Sequence, residues 1–207
     1  MNSIKAIFLD RDGTINVEKG YLYKIIDFEF LPGAIEGLKI LQNNGFTLII
    51  ITNQSGIARG YYTEKDFQIL NTWMIETLRN KGVNIGAVYY CPHHPDGKIA
   101  EYKKDCNCRK PKLGMYTKAI KDYKIDLSSS FVIGDKIRDC SICKNTDCNG
   151  YLIGNNENKA IIDEVKAGKY RNISYAASLY EASMKITKYN DFARKNPLYK
   201  EGKCLKK

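Results

Sequence analysis

Ile7-Phe8-Leu9-Asp10-Arg11-Asp12-Gly13-Thr14 stands almost at the head of the chain. From Ile4 to Leu9 nearly every residue is apolar, the pattern of a short strand buried on both faces of a parallel sheet. Two carboxylates one residue apart close that strand, and Gly13 lets the chain turn sharply and bring its backbone close to a ligand. A rigid strand edge that ends in two such acids can present a nucleophile and a proton carrier together. On that reading Asp10 attacks phosphorus and Asp12 moves the proton.

Outward from this stretch, strand and helix alternate. A loop containing Glu18-Lys19-Gly20-Tyr21 and several aromatic residues runs to Pro32, and a loop this long beside a nucleophile is expected to be functional. Gly33 to Asn44 reads as a helix stopped by Gly45. Phe46 to Ile51 reads as the second strand, and Thr63 with Asp66 as the capped start of a helix reaching about Lys81. A strand at Ile85 to Tyr90, a helix from Lys112 to Tyr123 and a strand at Phe131 to Gly134 follow. Beyond them come a helix from about Ile137, a strand near Tyr151 to Ile153 and a last strand–helix pair near Asn172 to Tyr189. Such alternation implies crossover connections and a Rossmann-like, doubly wound parallel sheet covered on both faces. Ligands of these α/β sheets bind beyond the carboxyl ends of the strands, where strand order reverses. Asp10, Thr52 and Asp135 all fall at such ends.

Composition narrows the class. A length of 207 residues suits one domain, and 43% hydrophobic with 27% charged residues is ordinary for a globular chain. No apolar run approaches the ~20 residues that span a bilayer. No leader is expected, since the first strand starts at once. Seven cysteines, an odd number, favour reduced thiols and metal ligands over disulfides. A cytoplasmic monomer without membrane contact is expected. The net charge of +10 admits nucleic acid, yet it equally suits an anionic small substrate. Much of the excess lies in scattered lysines and in residues 190–207, which read as a basic tail behind a domain of residues 1–189.

Three further motifs follow in order: Thr52 in FTLIIITNQSG, Lys110, and Gly134-Asp135 with Asp139. Together with the D-x-D-G-T stretch they resemble the haloacid dehalogenase-type (HAD-like) phosphatases. The resemblance implies a HAD-like fold, here with no large cap domain, and catalytic Mg2+. Magnesium takes oxygen ligands, and the implied ones are Asp10, Asp135 and the backbone carbonyl of Asp12, with Asp139 behind them. Thr52 and Asn53 would hydrogen-bond phosphoryl oxygens, and Lys110 would add a point charge. Attack by Asp10 gives an aspartyl-phosphate, with Asp12 protonating the departing alcohol and then activating water.

Residues 91–108 form the second informative segment. Cys91-Pro92-His93-His94 and Cys106-Asn107-Cys108 offer three cysteines and a histidine, the donor set of a tetrahedral Zn2+ site. Spacing alone leaves His93 and His94 open. Here the likeness narrows to the D-glycero-D-manno-heptose 1,7-bisphosphate 7-phosphatase branch, carried by DRDGTIN, TNQSGIARG, YYCPHHP and CNCRKP. It runs from about Ile4 to Gly134, fades after Cys140 and is absent beyond about Lys188. It implies that His93 is the ligand beside Cys91, Cys106 and Cys108, and that the zinc is structural. It also implies substrate contacts at Glu18, Lys19, Gly20, Tyr21, Gln54, Ser55, Arg109 and Lys136. Cys140, Cys143 and Cys148 depart from the branch and read as reduced thiols.

The expected function is removal of the 7-phosphate of the heptose bisphosphate in the assembly of lipopolysaccharide core or another surface glycan. A histidinol-phosphate phosphatase shares the zinc ligand types and is the first alternative. A zinc-stabilised nucleic-acid-binding module is the second, but it leaves four clustered acids without purpose, because acids repel phosphates unless a cation is present.

Overall fold

The computed structural model describes residues 3–154 and 159–195. Six strands, β1 (Ala6–Leu9), β2 (Thr47–Asn53), β3 (Ile85–Cys91), β4 (Phe131–Gly134), β5 (Asn149–Ile153) and β6 (Ile173–Ala176), form one sheet in the order β3-β2-β1-β4-β5-β6. Every pairing is parallel, so each connection crosses over through a helix or long loop. The helices are α1 (Ala34–Asn43), α2 (Ser55–Arg59), α3 (Glu64–Asn80), α4 (Gly114–Tyr123), α5 (Lys159–Lys166) and α6 (Leu179–Lys195).

Side chains of the central strands alternate between two cores, as the period of two requires. Ile7 and Leu9 of β1, with Leu48 and Ile50 of β2, join one cluster with α1, α3 and α6. Ala6 and Phe8, with Ile49 and Ile51, join the other, against α4 and the cysteines that follow β4. All four residues of β1 are buried. That explains why the strand reads as an unbroken apolar run. Switching of strand order falls beside β1, which pairs β2 on one side and β4 on the other.

Most expected elements are present within a residue or three. The capping box at Thr63 and Asp66 is formed in both directions. Ile4 makes only an isolated bridge to Ile125, so β1 begins later than its hydrophobic pattern suggests. The segment after Asp135 is a 3₁₀ helix, Ile137–Lys144. Two helices were not expected: α2, five residues and too short to show a period, and α5, a short amphipathic helix that packs Ile162 and Val165 on Leu152. The last helix runs on to Lys195, past residue 189, and the remainder of the basic tail lies outside the described residues.

Candidate active site

The carboxyl ends of β1, β2 and β4 bring together residues far apart in sequence. Asp10 follows β1 and donates its backbone N–H to Ile133 of β4. Asp135 follows β4 on the neighbouring edge. Gly13 closes the turn between them with φ of +77°, and a Cβ there would lie 2.5 Å from the Asp135 carboxylate. Glycine is required on both counts, backbone conformation and space.

Lys110 is the centre of charge. It is 2% exposed, and its Nζ lies 2.9 Å from Asp10 Oδ1 and 2.8 Å from Asp139 Oδ1, and donates to the Ile51 carbonyl at 2.6 Å. Burial alone would lower its pKa, but the carboxylates of Asp10 and Asp139 outweigh burial and hold it above the ordinary lysine value. Asn53 clamps the Lys110 backbone from both ends, accepting its N–H at 3.0 Å and donating to its carbonyl at 3.1 Å. The side chain expected to hold phosphoryl oxygens therefore also holds the lysine in place, with one amide hydrogen left over. Thr52 Oγ1 accepts from Gln54 Nε2 at 2.9 Å and keeps its own hydrogen to donate.

Asp139 is fully buried, and its Oδ2 accepts the backbone N–H of Lys136 at 2.9 Å. A Cβ on Gly134 would collide with it at 2.3 Å. The acid is thus a wedge between the end of β4 and Lys110. Its ion pair with Lys110 was not foreseen in the sequence.

Oxygens of Asp10, Asp135 and Asp139 lie within 4.8 Å of one another. Burial and then the Asp139 carboxylate push the Asp10 pKa up to about 6, with Lys110 offsetting only part of the rise. Burial and Asp10 likewise raise Asp135, against the pull of Lys136, whose Nζ is 2.9 Å away. Three buried acids facing two lysines are a site short of positive charge. An oxygen-liganded divalent cation fits that donor set.

Asp12 is held apart from this cluster. Arg11, fully buried inside the D-R-D motif, grips its carboxylate with Nε and Nη2 at 2.9–3.2 Å. Asn16 Nδ2 donates to Oδ1 and Gln54 Nε2 to Oδ2, each at 3.0 Å. Arg11 Nη2 also reaches the Leu22 carbonyl at 3.2 Å, and its guanidinium lies over the Phe67 ring. Sequence reasoning passed over Arg11 and Asn16. The signal available was the charged residue set between two acids in D-R-D.

Beside Asp12 opens a cavity of about 380 Å³, lined by Glu18, Gly20, Tyr21, Gln54, Ser55 and Arg109 among others. Most expected substrate contacts thus share one space. Tyr21 has φ of +57°, a strained conformation for an aromatic residue, and packs edge-on against Tyr61 at 4.6 Å. Lys19 does not line the cavity and pairs with Glu29 at 3.2 Å. Lys136 instead lines an adjoining hollow behind Gly13 and Glu18.

Ligand atoms of Cys91, His93, Cys106 and Cys108 also lie within 4.8 Å of one another. The sulfurs are 3.1–3.4 Å apart and His93 Nδ1 is 3.2 Å from Cys108. Three sulfurs and an imidazole nitrogen this close fit a tetrahedral zinc donor set. His94 turns away and contacts Arg59 at 3.1 Å, so the choice that spacing left open falls to His93. Lys98 and Ile99 donate to the Ala58 carbonyl and dock this loop on α2. Cys140, Cys143 and Cys148 are buried free thiols in the core beneath Asp139.

Over residues 5–186 the chain matches the family described as polynucleotide kinase 3 phosphatase. It is 53% identical over 135 residues to a D-glycero-beta-D-manno-heptose-1,7-bisphosphate 7-phosphatase of Pasteurella multocida, covering 65% of this chain and 73% of that one. It is 54% identical over 138 residues to a D-glycero-alpha-D-manno-heptose-1,7-bisphosphate 7-phosphatase of Photorhabdus laumondii, covering 67% and 75%. A solved D,D-heptose 1,7-bisphosphate phosphatase of B. bronchiseptica, complexed with magnesium and phosphate, superposes with a TM-score of 0.75 at 27% identity, over 90% of this chain and 99% of that one.

Proposed function

Because this chain belongs to the heptose 1,7-bisphosphate 7-phosphatase family of HAD-like phosphatases, we propose that it removes the 7-phosphate of that sugar bisphosphate and leaves the 1-phosphate in place. The observation that carries this reading is Lys110, buried between Asp10 and Asp139 at the ends of β1 and β4 and delivered there by the loop behind Cys106 and Cys108.

Asp10 is the nucleophile, and its carboxylate stays close to the lysine that neutralises the incoming phosphate. Magnesium held by Asp10, Asp135 and the Asp12 carbonyl would screen the charge between two anions and polarise the phosphoryl group. The solved relative complexed with magnesium supports that choice of ion. Thr52 and the free amide hydrogen of Asn53 donate to phosphoryl oxygens as charge builds on them. Asp12 protonates the leaving alcohol, then takes a proton from the water that opens the aspartyl-phosphate. Zinc held by Cys91, His93, Cys106 and Cys108 would leave no open coordination position, so its part is structural. The product would feed nucleotide-sugar assembly for lipopolysaccharide core or another surface glycan.

Phosphorus NMR of the product tests the reading directly. The anomeric phosphate alone should remain. A product with a free anomeric carbon and an intact 7-phosphate would overturn it. The same heptose lacking its 1-phosphate should react with at least tenfold lower kcat/KM, since binding of a remote group orients the reacting one. The two relatives above differ in the named anomer at nearly equal identity, so both anomers belong in the assay.

The grip of Arg11 on Asp12 makes a separate expectation. Proton donation matters most when the leaving group is a poor one. Arg11→Met should therefore lower kcat for the sugar phosphate about a hundredfold, yet lower it far less for an aryl phosphate whose phenol leaves unaided. Equal losses on both substrates would show that Arg11 serves the fold alone.

A further inference from the structure

The outer wall of the cavity beside Asp12 carries three guanidiniums: Arg59 from the end of α2, Arg109 from the loop after Cys108, and Arg138 from the 3₁₀ segment after Asp135. None of the three forms an ion pair among the described residues. The two acids lining the same space are already engaged, Asp12 by Arg11, Asn16 and Gln54, and Glu18 by the N–H of Gly20 at 2.8 Å. Arg138 is exposed and makes no hydrogen bond or ion pair among the described residues. Among the described residues, Arg59 has a buried Nε with no acceptor, and its Nη2 meets only the ring of His94. That ring already accepts the Asp96 N–H on Nδ1, so a neutral imidazole carries its proton on Nε2 and offers Arg59 no lone pair. Arg109 reaches the His93 carbonyl at a long 3.5 Å.

Three like charges lining one cavity, none ion-paired among the described residues, form a site prepared for an anion. Guanidinium groups bind phosphate oxygens in pairs through their planar forks. We propose that Arg59 and Arg138, together with Arg109, hold the phosphate that is not removed. The inference rests on the reading of the substrate as a bisphosphate, and it adds two residues to which the sequence reading assigned no part. Geometry favours this over the lysine of the Glu18–Tyr21 stretch. Lys19 points to Glu29 and leaves the cavity to the arginines. The three come from separate elements, α2, the metal-binding loop and the β4 edge. Their convergence fixes where the far end of the substrate lies relative to Asp10.

The test pairs enzyme and substrate changes. Arg138→Gln is the primary variant, because an exposed side chain with no partners can be removed without disturbing the fold. Its kcat/KM should fall at least tenfold on the heptose bisphosphate, and less than twofold on the same heptose carrying only the 7-phosphate. Arg138→Lys should restore part of the loss, and added salt should erode the wild-type preference for the bisphosphate. Arg59→Gln should behave as Arg138→Gln does, with zinc content measured to verify that the docked loop is intact. Equal falls on both substrates would overturn the inference and leave the functional reading standing. A wild-type enzyme that shows no preference for the bisphosphate would overturn both.

Discussion

Asp10→Asn is expected to abolish turnover, with kcat falling about 10⁴-fold or more, because an amide cannot form the covalent intermediate. Loss of folding is the usual alternative explanation for a dead variant, and here the structure argues against it. Burial first, and then repulsion from the Asp139 carboxylate, lifts the Asp10 pKa to about 6. Replacing it with a neutral isostere relieves that repulsion and keeps an oxygen for Lys110. The metal-free variant should therefore melt no lower than metal-free wild type, and should keep its zinc. A variant that retains a tenth of wild-type activity would rule out Asp10 as the nucleophile. Magnesium should stabilise wild type more than the variant, since one of its ligands has lost its charge.

Loss of the zinc ligands should produce the second largest effect, by a different route. Cys106→Ser is expected to take the chain from about one zinc to none, because one weak ligand in a four-donor site removes most of the affinity. The fold of the sheet should survive, since Cys91 alone among the ligands lies in a strand. What loosens is the segment from Cys91 to Cys108 that carries Arg109 and Lys110 into the site. Lys110 is anchored a second time, by Asn53 and the Ile51 carbonyl. Among the described residues the Arg109 side chain has no comparable anchor and reaches only the His93 carbonyl. KM for the bisphosphate should accordingly rise at least tenfold, with a smaller fall in kcat and a lower Tm. A fall in kcat with KM unchanged would show that the loop serves Lys110 rather than substrate binding. Freshly purified wild-type protein without zinc would remove the premise.

Much of this architecture was legible before any coordinates. Ile7 to Leu9 reads as a doubly buried strand because parallel sheets hide both faces, and the strand is indeed buried throughout. Thr63 and Asp66 announce the start of α3 because a capping box is a local pattern that needs no distant partner. The 3₁₀ geometry after Asp135 and the five-residue α2 left no such trace, since elements this short have no period to read.

The amino-acid order by itself offered the candidate atoms for the proposed chemistry: two acids at the end of one strand, a hydroxyl at the end of another, a lysine behind paired cysteines. Each of these rests on residue type and near neighbours, which a sequence displays. Tertiary structure alone decided what each side chain faces. It set Asp139 against Lys110, turned Asn53 to clamp that lysine, and closed Arg11 on Asp12. It assigned His93 to the thiols and His94 to Arg59, and sent Lys19 to Glu29 instead of the cavity. The reason is physical. A buried charge takes whichever opposite charge the fold brings within about 3 Å, and for Lys110 with Asp10 and Asp139 that distance is set by packing between separate elements, not by spacing along the chain.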